Sequence, residues 1–132
     1  MSNFPTNIPE KTIERLSEYR RTLLSCHNQG ITHIFSHVLA GMHGITAVQV
    51  RRDLMLIGFS SDTKKGYDVK TLIEFINDKK FEVAKNRILT TSDSFTSISG
   101  YLNFESIHYF TRFFKKMSGV SPSEFRRQNK AE

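Results

Sequence analysis

The sequence predicts a mainly α-helical protein in which a winged helix-turn-helix is followed by a connector helix and a second helix-turn-helix. Three observations predict this fold class: apolar residues recur at helical spacing, capping residues precede the periodic segments, and Gly or Asn stands at the short turns between them. The chain has 132 residues, of which 38% are hydrophobic and 24% charged. These values are typical of a folded domain with a packed core.

The first unit begins with two predicted helices. Helix one lies between Pro9 and Gly30, with its apolar residues at helical spacing. A shorter helix follows, for which Ser36 can serve as the cap and Gly44 as the end. Its buried face is expected to comprise Val38, Leu39 and Met42. Two short helices joined by a turn that contains Gly are typical of a helix-turn-helix.

A third helix is predicted to start at residue 47, because Thr46 to Gln49 reads as a capping box. Its buried face is expected to comprise Ala47, Val50, Leu54 and Ile57. At 100° per residue, Gln49 and Arg52 then point away from the core, with Val48 beside them and Arg51 on the flank. As the second helix of a helix-turn-helix, this face favours base edges for Arg52 and Gln49 and a phosphate for Arg51. The alternative is an ordinary solvated helix face.

A wing is predicted after this helix. The stretch GFSSDTKKGYDV places turn-forming residues between Phe59 and Tyr67, as in a β-hairpin. Lys64 and Lys65 lie at or near its tip, where they can contact a phosphate backbone or a minor groove. A solvated loop is the alternative interpretation of the two lysines.

Residues 8–76 resemble the N-terminal winged-helix domain of the redox-sensing repressor Rex, through IPEKTIERL, TAVQVRRDL and KKGYDV. The resemblance implies DNA binding by the third helix and the wing. The family's Gly-x-Arg-Gly corresponds here to residues 61–64, so that its minor-groove Arg falls on Thr63, and Lys64 or Lys65 is the candidate substitute. No G-x-G-x-x-G follows a strand, so the NAD(H)-binding domain of that family has no counterpart in this sequence. We expect no cofactor.

The second half contains two further predicted helices. Ser94 can cap a helix that carries Phe95, Ile98 and Leu102, and Asn103 suits a left-handed turn. Ser106 can cap the next helix, whose core face is expected to comprise Phe110, Phe114 and Met117. Its opposite side is expected to present Ile107, His108, Thr111, Arg112 and Lys115.

This half resembles the connector helix and second helix-turn-helix of AraC/XylS-type regulators over about residues 71–127, through TLIEFINDKKFEVAKNRILTT, YFTRFFKK and SPSEFRR. The resemblance implies that Ser106, Ile107 and His108 enter a major groove, while Arg112 and Lys115 contact phosphates. The two resemblances overlap at about residues 69–77. We therefore predict a Rex-like unit at 8–76 and an AraC-like unit at 77–132, with residues 77–80 polar enough to permit a bend.

Composition narrows the function classes. The net charge of +6 favours polyanionic partners, nucleic acid before an anionic membrane. The longest apolar run, LMLIGF, is far shorter than the roughly 20 residues of a membrane span, and the N-terminus lacks a signal-peptide core. A single cysteine fits a reducing compartment, and we expect a cytoplasmic protein. No phosphate loop or nucleophile elbow is present, and a metal pair of His33 and His37 is disfavoured, so no enzymatic activity or metal site is expected.

The predicted function is a sequence-specific DNA-binding transcription regulator with two DNA-reading units and no sensor domain. The alternative is a protein-interaction module that uses the winged-helix scaffold to hold another regulator. Double-stranded DNA is the expected partner, with no membrane contact; a homodimer and a partner regulator stay open. If the shared helix is stiff, the helices starting near Ala47 and Ile107 should project from one side, about 34 Å apart, to occupy successive major grooves.

Overall fold

The computed structural model describes residues 8–60 and 64–129, which form seven α-helices and two short β-strands. In chain order these are α1 (Glu10–Asn28), β1 (His33–Ile34), α2 (Ser36–His43), α3 (Ala47–Leu56), β2 (Tyr67–Asp68), α4 (Val69–Thr90), α5 (Phe95–Tyr101), α6 (Ile107–Ser118) and α7 (Pro122–Asn129). The predicted mainly α fold is confirmed. Within the described residues, no helix combines the length and the apolarity that crossing a bilayer requires.

Helices α1 and α4 pack against each other and contribute to both hydrophobic cores. The first core joins α1 to α2, α3, the strands and the first half of α4. The second core joins the second half of α4 to α5 and α6, and it includes Ile8 and Ile13 from the start of the chain. Helix α4 continues without interruption through the polar stretch 77–80, where Lys79 and Lys80 are buried. The predicted boundary at residue 76 therefore falls inside a helix that both cores share.

Helix α2 differs from its prediction in its cap and its buried face. Ser36 is its first helical residue and Phe35 its N-cap, which makes no side-chain capping bond. The helix packs on the rest of the unit through Leu39 and Ala40. Val38 and Met42, predicted to be buried, are 39% and 55% exposed because they lie on the faces that turn away from this contact.

The strand pairing also differs from the predicted hairpin. Strand β2 pairs antiparallel with β1, in the register His33 to Asp68 and Ile34 to Tyr67, and not with the segment around Phe59. Phe59 instead packs its ring on that of Tyr67, with a centroid separation of 5.7 Å. The pairing thus joins the segment before α2 to the segment before α4. Residues 61–63, which include the predicted minor-groove position Thr63, lie outside the described residues.

The capping residues of the second unit are confirmed. The Ser94 and Ser106 hydroxyls each accept a hydrogen bond from the backbone N–H three residues later, at 3.1 Å. Asn103 adopts the left-handed conformation, with φ 60°. Phe110 and Phe114 are fully buried on α6 as predicted.

Candidate nucleic-acid interface

Helix α3 begins as predicted but directs one side chain differently. The Gln49 backbone N–H donates to the Thr46 hydroxyl at 3.1 Å, so Thr46 is the N-cap. The Gln49 side chain was expected to point away from the core. Instead it is half-buried, and its amide Nε2 donates to Asp53 Oδ1 at 2.9 Å.

Asp53 is the centre of a buried polar network that ties α3 to α1. Its carboxylate, 2% exposed, accepts two hydrogen bonds from Arg15, at 2.7 Å from Nε and 3.0 Å from Nη2. It also accepts one from the Tyr19 hydroxyl at 2.7 Å. The hydrogen bond to Asp53 raises the pKa of Arg15, and burial raises the pKa of Tyr19. Both donors therefore keep their protons, and the carboxylate is satisfied from three side chains.

The sequence carried a signal for this network that the prediction of the site did not use. Asp53 follows Val50 by three residues and precedes Leu54, both fully buried, so it falls on the apolar face of the helix. A carboxylate on a buried helix face requires donors to compensate its desolvation.

The exposed face of α3 presents Arg52, Arg51 and two apolar side chains. Arg52 makes no hydrogen bond or ion pair with the described residues and is exposed. Arg51 lies on the flank as predicted, and its Nη1 donates to the Ser36 hydroxyl at 3.1 Å. Val48 and Met55 are 52% and 65% exposed beside the two arginines. This face combines cationic donors with apolar side chains, which suits the edges and methyl groups of a major groove.

A groove of about 530 Å³ lies between this face and β2. Its walls include Phe35, Met55, Phe59 and Tyr67, and Arg51 and Ser36 also line it. Burial raises the pKa of Tyr67, whereas the Arg51 charge and a hydrogen bond with Ser36 act in the opposite direction. Arg51, Ser36 and Tyr67 therefore form one polar cluster, of which the sequence predicted only Arg51.

Lys64 and Lys65 are exposed and lie on the turn that leads into β2. The sequence also predicts a position at or near a turn for these two lysines. Because residues 61–63 are outside the described ranges, the contact of these lysines with DNA stays a prediction.

On α6, four of the predicted residues are exposed and two are not. Ser106, His108, Arg112 and Lys115 are exposed. Ile107 is half-buried and packs against the second core, since the first turn of α6 leans on that core. Thr111 is also half-buried, and its hydroxyl donates to the Ile107 carbonyl oxygen at 2.8 Å. The outward direction predicted for Ile107 and Thr111 is thus only partly realised.

Two family models match the chain. The model described as "Putative DNA-binding protein N-terminus" matches residues 7–54, and the model described as "Helix-turn-helix domain" matches residues 65–128. The first match contains α1 to α3 except for the last turn, and the second contains β2 and α4 to α7 with the exception of the last residue of α7. The two matches together contain both helices of the candidate interface.

Curated relatives match the N-terminal half. The redox-sensing transcriptional repressor Rex of Carboxydothermus hydrogenoformans is 43% identical over 67 residues, which cover 51% of this chain and 32% of the relative. Rex of Staphylococcus carnosus is 34% identical over 79 residues, covering 60% of this chain and 37% of the relative. This chain therefore spans about a third of the length of these relatives.

Solved structures align with most of the chain at low identity. The C-terminal domain of AraT, a response regulator from Geobacillus stearothermophilus, is 20% identical with a TM-score of 0.47, and the alignment covers 89% of this chain and 87% of that one. The xylose-binding transcription activator xylR is 19% identical with a TM-score of 0.45, covering 98% of this chain and 30% of that one.

Proposed function

We propose that this chain, which joins a Rex-like N-terminal DNA-binding unit to an AraC-type helix-turn-helix unit, is a sequence-specific DNA-binding transcription regulator of the cytoplasm. The observation that carries the proposal is the pair of helices α3 and α6, each with a buried apolar face and an exposed basic face. Double-stranded DNA is the proposed partner, and binding rather than catalysis is the proposed activity.

Helix α3 is proposed to read bases through Arg52. Its guanidinium is exposed and uncommitted among the described residues, and such a group pairs with guanine O6 and N7 in a major groove. Val48 supplies an apolar contact next to it. Arg51, already close to Ser36, is proposed to hold a phosphate. Gln49 reads a base edge only if its amide leaves Asp53, so its main proposed role is to orient α3.

Helix α6 is proposed to enter a second major groove with its N-terminal turn. Ser106 and His108 are exposed there, while Ile107 is restricted to a marginal contact by its packing. Arg112 and Lys115 are proposed to hold phosphates, as are Lys64 and Lys65 at the wing. The shared helices α1 and α4 fix the relation of the two units. The proposal is that the two units read successive major grooves about 34 Å apart at the same time.

The dependence of duplex binding on salt tests the proposal. About six neutralised phosphates, each contributing about −0.9, give a slope near −5 in log K against log salt. Fluorescence anisotropy with a site selected from a random duplex library measures both affinity and slope. A slope near zero would overturn the proposal.

A matched pair of variants then separates base reading from anchoring. Arg52→Ala should cost about 1–3 kcal/mol on the selected site and relax its sequence preference, because it removes a base contact. Lys65→Ala should weaken all duplexes about equally. Unchanged sequence preference in Arg52→Ala would show that Arg52 does not face the bases.

A second candidate function is a protein-interaction module, and the apolar surface around α2 favours it. Phe35, Val38 and Met42 are exposed here, together with Met55 on α3. Exposed apolar patches commonly mark protein interfaces. Combined replacement of Arg52 and Arg112 by alanine distinguishes the two functions, since DNA binding requires these side chains and an apolar interface does not. A homodimer or a complex with a partner regulator belongs to this second candidate.

A further inference from the structure

A basic groove lies at the junction of the two units, where α1, α4 and α6 meet. Its volume is about 230 Å³. We call it the seam groove and define it by the residues Arg20, Asn77, Tyr109, Arg112, Phe113 and Lys116. Only Arg112 among them belongs to the set predicted from the sequence.

The seam groove carries positive charge that its own lining does not neutralise. Arg20, Arg112 and Lys116 line it, and none of its lining residues is acidic. Arg112 and Lys116 make no ion pair with the described residues. The nearby Glu105 lies 3.8 Å from Arg21, outside this lining. Three cations from two helices thus face one small space.

The Arg20 guanidinium is held in place before any ligand binds. Its Nε donates to Asn77 Oδ1 on α4, and its Nη2 donates to the Tyr109 hydroxyl on α6 at 3.3 Å. These two bonds leave the Nη1 donors uncommitted. A guanidinium fixed in this way can bind an anion with less loss of side-chain entropy than a freely rotating one.

Lys80 gives a second sign of the positive potential at this junction. It lines a smaller adjoining pocket that shares Arg20 and Tyr109 with the seam groove. Burial lowers the pKa of Lys80 to about 7, and the charges of Arg20 and Arg21 act in the same direction. Burial is the main cause of this lowered pKa, and repulsion from the two arginines adds to it although Glu105 also lines this pocket.

We infer that the seam groove holds a phosphate of the DNA backbone where the duplex passes from one unit to the other, an inference that rests on the proposed function. Guanidinium forks and ammonium groups are the usual phosphate partners in proteins. The groove shares Arg112 with the exposed face of α6, four residues from His108, so it adjoins the proposed base-reading turn. Arg20 on α1 would then add a phosphate contact from outside the two recognition helices, beside Arg112 and Lys116 on α6.

The test uses two charge-removing variants and one matched control in the full chain. Arg20→Gln and Lys116→Gln each remove one groove cation, whereas Arg21→Gln removes a neighbouring cation that does not line the groove. Binding is measured on the selected duplex, which is long enough for both units of the chain, and on a shorter duplex that has room for only one unit. On the long duplex each groove variant should reduce the salt slope, by at most the roughly 0.9 that one phosphate contributes, with an equal loss of affinity on every sequence tested. On the short duplex the groove variants should match the wild type.

Several outcomes would overturn the inference. Arg20→Gln and Lys116→Gln could both behave like Arg21→Gln on the long duplex. Alternatively, inorganic phosphate or AMP could perturb the Tyr109 NMR signals of the free protein while both variants keep the wild-type slope on DNA; the groove would then serve a small phosphorylated ligand. Lys116 is exposed, so its variant remains informative even if Arg20→Gln lowers the unfolding temperature. A wild-type slope near zero would defeat the proposed function and this inference together, whereas a slope near −5 with unaffected variants defeats the inference alone.

Discussion

Different interactions hold the two proposed recognition helices, α3 and α6, in place. Helix α6 is fixed by aromatic packing: Phe114 lies 5.1 Å from Phe81 and 5.3 Å from Phe125, measured between ring centroids. Helix α3 is fixed to α1 by the network around Asp53, although Val50 and Leu54 also pack in the first core. Helix α6 is held mainly by apolar contacts, to which Arg20 adds one hydrogen bond at Tyr109, whereas α3 adds a buried network of directional bonds.

This difference separates stability from orientation. Burial of aromatic rings contributes a large favourable free energy that depends weakly on direction. A buried ion pair contributes little net stability relative to an apolar replacement, but its geometry is specific, and losing one partner is costly. We therefore expect the aromatic packing of α6 to act mainly on the stability of the chain and the Asp53 network to set the angle at which α3 meets DNA.

The largest expected effect comes from removing an α6 ring. Phe114→Ala should lower the free energy of unfolding by about 3–5 kcal/mol, because it leaves a cavity among packed aromatic side chains. Urea denaturation measures the loss. Leu89→Ala is the control, since Leu89 is 50% exposed and its truncation opens no enclosed cavity. Equal losses in the two variants would contradict the assignment of α6 as the stability anchor.

The next effect concerns Lys80, which lies at the junction of the two regions and donates to the Ser17 hydroxyl at 2.8 Å. Burial lowers its pKa in the folded chain to about 7 from the usual lysine value of 10.5, so the unfolded chain binds more protons between these two pH values. The effect of Lys80 on the free energy of unfolding is therefore most favourable above pH 10.5. The free energy of unfolding falls as the pH is lowered to 7, by up to about 1.4 kcal/mol per pH unit.

Lys80→Met should remove this dependence, because methionine keeps most of the side-chain volume and has no proton to bind. Denaturation at pH 7 and pH 10 should show the variant gaining most over the wild type at pH 7. A gain that is the same at both pH values would show that the Lys80 ammonium is not desolvated in the folded chain.

The helix boundaries could be predicted because the interactions that start these helices are local. Thr46, Ser94 and Ser106 each accept a bond from the backbone three residues later, and such pairs are visible in the sequence. The buried face of α6 follows in the same way from helical spacing at Phe110 and Phe114.

The features of the fold and of the candidate site that were not predicted depend on contacts between residues that are distant in the sequence. The Gln49 side chain turns inward because Asp53 is buried, and Asp53 can be buried because Arg15 reaches it from 38 positions earlier. Strand β2 pairs with β1, more than 30 positions earlier, so local spacing favoured the wrong hairpin. Likewise, Arg20 enters the candidate interface only because α1 crosses α4 beside α6. The exposed arginines of α3 were predictable, whereas the residues that position them were not.

A smaller effect is expected from the Asp53 network itself. Asp53→Ala should lower the free energy of unfolding by about 2–3 kcal/mol, because the buried Tyr19 hydroxyl loses its acceptor and Arg15 its partner. Tyr19→Phe removes one donor only and should cost about 1 kcal/mol.

The orienting role of the network is tested by DNA binding. Asp53→Ala should weaken binding to the selected duplex more than Phe114→Ala does, when both variants are measured under conditions in which they are folded. Weaker binding by Phe114→Ala than by Asp53→Ala would contradict the orienting role of the Asp53 network.

The last effect tests a further directional contact of the first unit, the β1–β2 pairing. Gly66 precedes β2 with φ +82°, and a Cβ there would lie 2.6 Å from the Ile34 carbonyl oxygen. Gly66→Ala should therefore cost about 1–2 kcal/mol from the left-handed conformation, and the strand backbone must also shift. Gly41→Ala is the matched control, because Gly41 lies within α2 and a Cβ there meets nothing within 4 Å, so this variant should be neutral or stabilising by up to about 1 kcal/mol. Thermal unfolding of both variants gives the sign. A loss of stability in Gly66→Ala without any change in DNA binding would show that the strand pairing does not orient α3. A loss of both would show that the strand pairing shares this role with the Asp53 network.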